Sequence, residues 1–116
     1  MTAEKIAAHI DHTLLKAFCS WEQIQELCDE AVTYKTASVC VPSCFIKRIR
    51  ETYGPDFTIC TVVGFPLGYG NTESKLAETK QALLDGADEI DMVINITDVK
   101  DGKYQKVEDE IALLKD

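Results

Sequence analysis

A carboxylate inside an apolar segment is the side chain of this sequence best suited to proton transfer. Asp91 lies between Ile90 and Met92 in the segment EIDMVIN (89–95), which is typical of a buried strand. Burial of a carboxylate is costly unless it is paired or hydrogen-bonded, and desolvation favours the protonated form that a general acid needs. The residues alone leave two interpretations open: a catalytic acid–base, or a structural carboxylate bonded to the backbone or to a lysine.

Three further side chains lie in or near the ends of predicted strands. Asp11 and Thr13 belong to the first predicted strand (10–14), and Cys40 lies at the end of the second (37–41), before Pro42. In parallel α/β folds the carboxyl ends of the strands deliver side chains to the active face. Taken alone, an aspartate or threonine at such a junction is more often a turn or cap residue, and a cysteine is more often a buried packing residue.

Other kinds of site are poorly supported. The two histidines, His9 and His12, have neither the spacing of a zinc site nor a nucleophile elbow nearby. A net charge of −8 argues against nucleic-acid binding. We find no signal-peptide pattern and no membrane-length apolar segment, so we expect a cytoplasmic protein with reduced thiols. The odd cysteine count predicts no disulfide framework, and apart from Cys40 we expect packing or surface thiols at Cys19, Cys28, Cys44 and Cys60.

The elements that would position these residues alternate between strand and helix. Ser20 and Gln23 form a capping-box pattern, and Thr72 and Gly86 are expected to cap and stop a later helix with an apolar stripe of Leu76, Ala77, Leu83 and Leu84. Strands separated by helices are expected to be parallel. Two α/β architectures fit a single domain over 1–116: a doubly wound, flavodoxin-like sheet, or half of a barrel. Strands are predicted at 10–14, 37–41, 58–65 and 89–95, and helices at 3–9, 20–32, 43–53, 72–85 and 104–114.

Four segments decide between these architectures: IDHTLLK (10–16), SVCVPS (38–43), TVVGFPLG (61–68) with its following helix containing KLAETKQAL (75–83), and GADEIDMVINI (86–96). In this order and spacing the sequence resembles the class I deoxyribose-phosphate aldolases. The resemblance implies a (βα)8 TIM barrel, of which this chain would be the N-terminal (βα)4 half. It implies reversible cleavage of 2-deoxy-D-ribose 5-phosphate to D-glyceraldehyde 3-phosphate and acetaldehyde through a lysine Schiff base, with no metal or other cofactor.

The resemblance also assigns roles to the candidate residues. It implies that Asp91 is catalytic, relaying protons with a lysine and water. It places Asp11 at the mouth of the site, where Thr13 could join it in binding substrate. Cys40 would line the substrate pocket without acting as a nucleophile, and the loop 64–70 would border that pocket.

The Schiff-base lysine itself is not among the predicted strand residues. All ten lysines fall on predicted helices or loops. The resemblance implies that the Schiff-base lysine lies on a later strand, beyond residue 116. We therefore expect this chain alone to be inactive. Its open sheet edges and a half-filled apolar interior predict a homo-oligomer. The alternatives to an aldolase acting on a small phosphorylated sugar are a catalytically inert, self-associating half-barrel and a flavodoxin-like binding module.

Overall fold

Four short strands lie side by side in one sheet, all parallel and in the order in which they occur along the chain. The computed structural model describes residues 1–115. A flavodoxin-type sheet reverses its strand order at the ligand-binding crevice, and this sheet shows no reversal within residues 1–115. The flavodoxin-like alternative is therefore wrong. The strands are β1 (Asp11–Thr13), β2 (Ser38–Val41), β3 (Ile59–Val63) and β4 (Glu89–Met92).

Six α-helices accompany the strands, and their predicted order is confirmed with one addition. The addition is the short helix Ile96–Lys100, whose N-cap Asn95 accepts a hydrogen bond from the Asp98 N–H. Pro42 has an extended ψ of 141° and precedes a 3-10 turn, so the helix predicted over 43–53 begins at Ile46. No helix in the described part of the chain could cross a membrane. The helices are α1 (Ala3–Ala7), α2 (Trp21–Tyr34), α3 (Ile46–Tyr53), α4 (Thr72–Asp85), α5 (Ile96–Lys100) and α6 (Tyr104–Lys115).

The hydrophobic core lies between one face of the sheet and helices α2, α3 and α4. Helix α2 begins at the predicted capping box, in which Ser20 and Gln23 exchange side-chain and backbone hydrogen bonds. Alternate strand residues such as Val39 and Val41 point toward the helices, which leaves the residues between them on the opposite face. The core is formed by Ile24, Leu27, Cys28, Ala31, Val39, Val41, Ile46, Ile49, Ile59, Ala82 and Ala87.

Helix α4 packs through a different face from the one that its leucines predicted. Leu83 is 51% exposed and Leu84 is 81% exposed. The buried side chains are Lys75, Thr79 and Ala82, which share one helical face at positions i, i+4 and i+7. The predicted stripe is therefore wrong, because a buried lysine with hydrogen-bonding partners replaces an apolar residue at the centre of the packed face. That predicted stripe was Leu76, Ala77, Leu83 and Leu84.

The inward face of the sheet, which faces away from the helices, is polar at both edges. Its side chains on β1 are Asp11 and Thr13, and those on β4 are Glu89 and Asp91; all four are exposed. Between these edges the face is apolar, with Cys40 and Val62 in the pocket wall, so the apolar interior predicted for a half-barrel is limited to the centre of the sheet in the described part of the chain. Short edge strands that carry charges resist edge-to-edge pairing better than long apolar ones.

Candidate active site

One pocket brings together all four residues that the sequence singled out. Asp11 and Thr13 reach it from β1, Cys40 from β2 and Asp91 from β4, so residues 80 positions apart share one concave surface. The pocket has a volume of about 230 Å³ and lies on the inward face, toward the carboxyl ends of the strands. Catalytic residues of (βα) barrels lie at this end. The full lining is Asp11, Thr13, Leu15, Cys40, Val62, Phe65, Asp91 and Val93.

Asp11 is held in place by two hydrogen bonds that the sequence analysis did not anticipate. The Ser38 hydroxyl, on the neighbouring strand, donates to Asp11 Oδ1 over 2.6 Å. The Thr13 hydroxyl donates to the Asp11 backbone carbonyl over 2.7 Å. Ser38 is the register partner of Asp11 in the β1–β2 pair, so strand pairing itself orients this carboxylate. Thr13 therefore supports the backbone of β1 as well as lining the pocket.

Asp91 is exposed, and the argument that its carboxylate is desolvated is therefore wrong for residues 1–115. Strand β4 is an edge strand, whose one neighbour in the described sheet is β3. Its register partner on β3 is Val62, an apolar neighbour that also lines the pocket. No ion pair in the described part of the chain involves Asp91, which argues against the structural alternative of pairing with a lysine. The carboxylate faces the pocket and is accessible to a ligand.

The loop after β3 closes one side of the pocket and needs glycine where it turns. Gly68 has φ +76°, and a Cβ there would lie 2.2 Å from the Ile94 carbonyl oxygen, so no side chain fits between this loop and the end of β4. The Gly64 N–H donates to Glu78 Oε2 of helix α4 over 3.2 Å. Phe65, between these two glycines in the chain, lines the pocket. The predicted position of this loop beside the site is thus observed.

A buried ion pair behind the pocket joins α4, α6 and the end of β4. Lys75 Nζ lies 2.6 Å from Glu110 Oε1 and donates to the Val93 carbonyl over 3.0 Å. The Lys75 side chain is 1% exposed and that of Glu110 is 10% exposed. Burial raises the pKa of Glu110, but hydrogen bonds from Lys75 and Thr72 and the Lys75 charge hold it below its usual range. The ion pair therefore fixes the backbone that follows Asp91.

Thr72 has a different role from the predicted one. Asn71 is the N-cap of α4, and Thr72 is its first helical residue. The Thr72 hydroxyl instead donates to Glu110 Oε2 over 2.6 Å. Because both Glu110 oxygens are satisfied, this carboxylate can remain charged where it is buried.

Cys40 forms part of the pocket wall and is 4% exposed. Its register partner on β3 is Cys60, which is also 4% exposed and lines an adjoining cavity with Asp11 and Asp91. Cys60 was expected to be a packing or surface thiol, and its place beside the pocket was missed. Little in the sequence indicated this position, because Cys60 lies among apolar residues that predict burial on both faces of the strand. Such a pattern does not identify which of these side chains lie on the inward face of the sheet.

Comparison with known proteins assigns the sequence to a family. The family model described as DeoC/LacD family aldolase matches residues 5–116. The chain belongs to this aldolase family. Family membership and the order of the strands together confirm the prediction that the chain forms parallel (βα) units of an aldolase barrel.

Relatives within this aldolase family match the chain over nearly all of its length. A deoxyribose-phosphate aldolase of Clostridium botulinum (strain Alaska E43 / Type E3) is 60% identical over 116 residues, which are all of this chain and 52% of the relative. A crystal structure from Coccidioides immitis aligns with a TM-score of 0.92 at 34% identity, covering 99% of this chain and 46% of the other. A tetrameric deoxyribose phosphate aldolase from Aeropyrum pernix aligns with a TM-score of 0.83 at 30% identity, over 98% and 49% of the two chains. The chain therefore spans about half the length of these aldolases.

The lysines of this family member lie outside the strands, as predicted. All ten fall on helices, turns or loops of the described chain, and none of them lines the pocket within residues 1–115. Lys75 is the one buried lysine among them, and its ammonium is already bonded to Glu110 and Val93. In the same residues no three histidine, cysteine, aspartate or glutamate side chains form a group that could hold a metal ion.

Proposed function

We propose that a protein containing this chain cleaves 2-deoxy-D-ribose 5-phosphate reversibly to D-glyceraldehyde 3-phosphate and acetaldehyde, through a lysine Schiff base. The observation that carries the proposal is the pocket of about 230 Å³ that Asp11, Thr13, Cys40 and Asp91 line together. Membership of the aldolase family supports a carbon–carbon lyase. The name of the 60% identical relative supports this particular substrate.

The pocket by itself is small for a phosphorylated sugar. Sites for small ligands usually enclose roughly 300–1,000 Å³, and here about 230 Å³ is available on an open sheet. We propose that the remaining wall, the Schiff-base lysine and the phosphate site come from the part of the relatives that this chain does not cover. On this account the chain alone is inactive.

Asp91 is the group that we assign to proton transfer. Its carboxylate faces the pocket, is exposed, and belongs to no ion pair of the described residues. It can therefore exchange a proton with a bound water or with a substrate hydroxyl, which general acid–base catalysis requires. The Lys75 hydrogen bond to Val93, two residues along the chain, limits the movement of this strand end.

Asp11, Thr13 and Cys40 are assigned to substrate binding. Asp11 Oδ1 accepts from Ser38, which leaves the rest of the carboxylate to accept from substrate hydroxyls at the mouth of the pocket. The Thr13 side chain lies beside it. Cys40 contributes a small apolar wall, and the proposed reaction needs no thiolate from it.

A fusion protein tests this function. Residues 1–116 would be joined to the part of the Clostridium botulinum relative that the match does not cover, and cleavage of 2-deoxy-D-ribose 5-phosphate would be assayed beside the unfused chain. We expect turnover comparable with that of the intact relative from the fusion, and none from the unfused chain. A folded fusion without turnover would support the inert half-barrel, and turnover by the unfused chain would contradict the assignment of the lysine.

We also propose that the partner of this chain is a second copy of itself. The two edge strands, β1 and β4, each have one neighbour within residues 1–115 and so present backbone donors and acceptors on one side. The tetramer formed by the Aeropyrum pernix aldolase supports assembly within the family.

A further inference from the structure

Two cysteines that the proposed aldol chemistry does not use stand side by side in the pocket wall. Cys40 of β2 and Cys60 of β3 are register partners in a parallel pair, and both are free thiols. Neighbouring strands lie about 4.8 Å apart. This spacing falls inside the Cα–Cα range of roughly 4.4–6.8 Å that disulfides span. Because register partners point to the same face, the two Cβ atoms do not diverge.

The two thiols differ in acidity. The neighbouring Cys60 thiol lowers the pKa of the Cys40 thiol, and this outweighs the opposing effects of burial and of the charges on Asp91, Asp11 and Glu89. The neighbouring Cys40 thiol raises the pKa of Cys60, and burial raises it further. The Cys60 thiol donates to the Thr61 carbonyl over 3.7 Å. Cys40 is therefore the sulfur that gives up its proton first.

Cys40 and Cys60 differ from the other three cysteines in their accessibility to small molecules and in the residues that surround them. Cys28 is buried in the hydrophobic core, and burial followed by the Asp29 charge raises its pKa to about 12. Cys44 is exposed and Cys19 is half-buried. Cys40 and Cys60 are each 4% exposed but line cavities that open on the inward face, which a small oxidant can enter.

We propose that Cys40 and Cys60 form a thiol-oxidation site in the pocket wall, which takes a peroxide as its oxidant and closes to an intramolecular disulfide. The Cys40 thiolate attacks one peroxide oxygen, the O–O bond breaks, and a sulfenic acid and water form. The Cys60 sulfur then attacks the sulfenic sulfur. The S–S bond forms, the S–O bond breaks, and the Cys60 proton leaves with the hydroxide as a second water. Two thiols and one hydrogen peroxide become one disulfide and two waters, and the two sulfurs supply the two electrons.

Peptide mapping of the full chain after oxidation tests the site. The protein is treated with a small excess of hydrogen peroxide, the remaining thiols are alkylated, and the digest is mapped by mass spectrometry. We expect an intact mass lower by two hydrogens, one dominant Cys40–Cys60 crosslinked peptide, and full reversal by dithiothreitol. Cys44→Ser is the matched control and should leave this crosslink unchanged. The inference is independent of the proposed function, because the readout requires no turnover.

Two variants separate selective pairing from general oxidation. Cys60→Ser and Cys60→Ala should each abolish the crosslink and let dimedone trap a sulfenic acid at Cys40. Circular dichroism identifies which of the two variants is folded. In guanidinium the selectivity for this pair should disappear, because strand pairing creates it. The proposal would be overturned by dominant crosslinks through Cys44 or Cys19, by crosslinks between chains, or by the same pairing in the folded and unfolded states.

Discussion

Asp11 and Asp91 belong to the two opposite edge strands of the sheet, β1 and β4, and yet they line the same pocket. The curvature of the four-stranded sheet brings their side chains to one concave face, with Cys40 and Val62 of the central strands between them. Two carboxylates at opposite sides of one pocket can bind and protonate different parts of a polar substrate. Both are exposed, but Asp11 is fixed by a hydrogen bond from Ser38, whereas no ion pair of the described residues involves Asp91.

Replacing Asp91 by asparagine should remove proton transfer while leaving the fold intact. In the fusion with the Clostridium botulinum relative, Asp91→Asn is expected to lower turnover about 100-fold or more, because the amide keeps the size of the side chain but cannot exchange the proton. Thermal unfolding should change little, because Asp91 is exposed. Glu89→Gln is the matched control, since Glu89 is an exposed carboxylate two residues earlier on β4. Equal turnover by Asp91→Asn and Glu89→Gln would indicate that Asp91 has a structural role and does not transfer protons.

The order of the elements could be predicted because local signals mark each one. The capping box at Ser20 and the left-handed Gly86 that ends α4 depend on residues a few positions apart, and both are observed. Helix α5 was missed because its five residues are too few to show helical periodicity. The four candidate residues could be singled out because the family resemblance assigns them to one site, and the pocket brings them together on one face of the sheet.

What the sequence could not predict depends on contacts between distant residues. Lys75 and Glu110 are 35 residues apart in the sequence. A prediction from side-chain hydrophobicity places a lysine on the surface unless the carboxylate that pairs with it is known. The exposure of Asp91 depends on whether another strand covers β4, which no local pattern encodes. The pairing of Cys40 with Cys60 depends on the register between β2 and β3.

Removal of the Lys75 ammonium should destabilise the protein strongly. Lys75→Met leaves Glu110 charged, with a side chain only 10% exposed. Breaking one partner of a buried ion pair costs about 3–5 kcal/mol, which urea unfolding would detect. Lys80→Met, at an exposed position of the same helix, should change the free energy of unfolding by less than about 0.5 kcal/mol.

A double variant checks the cause of this loss. Adding Glu110→Gln to Lys75→Met removes the uncompensated charge, so the double variant should recover part of the stability. An equal decrease in the free energy of unfolding for Lys75→Met and Lys80→Met would show that the ion pair contributes no stability.

Stability should fall in acid in a way that depends on Glu110. Its folded-state pKa is depressed by Lys75 and Thr72 against the effect of burial. A depressed carboxyl pKa contributes stability that is complete above the unfolded-state value of about 4.3 and is lost as the pH falls through the lower folded-state value. Urea unfolding from neutral pH to about pH 3 should therefore show a smaller acid loss in Glu110→Gln than in the parent. Glu108→Gln, on an exposed position of the same helix, is the control. Parallel curves for the parent and Glu110→Gln would contradict this assignment.

Self-association should increase with salt. Both edge strands carry inward carboxylates, including Asp11 and Glu89, and the chain has a net charge of −8. Between about 0.01 M and about 1 M salt the Debye length falls from roughly 30 Å to roughly 3 Å, so repulsion between copies is screened. Sedimentation should show dimers or larger species that increase with salt, and Glu89→Gln should associate at lower salt than the parent. A 12.9 kDa monomer at every salt concentration would show that the edges do not pair.

The position of the Schiff base tests the central claim most directly. The claim is that this chain supplies the aspartates of an aldolase site, and that the reacting lysine lies outside this chain. The fusion protein would be reduced with borohydride in the presence of acetaldehyde, and the modified peptide identified by mass spectrometry. We predict a single adduct on a lysine outside residues 1–116, together with no adduct on the unfused chain. A stoichiometric adduct on any of the ten lysines of this chain, in either protein, would contradict the account.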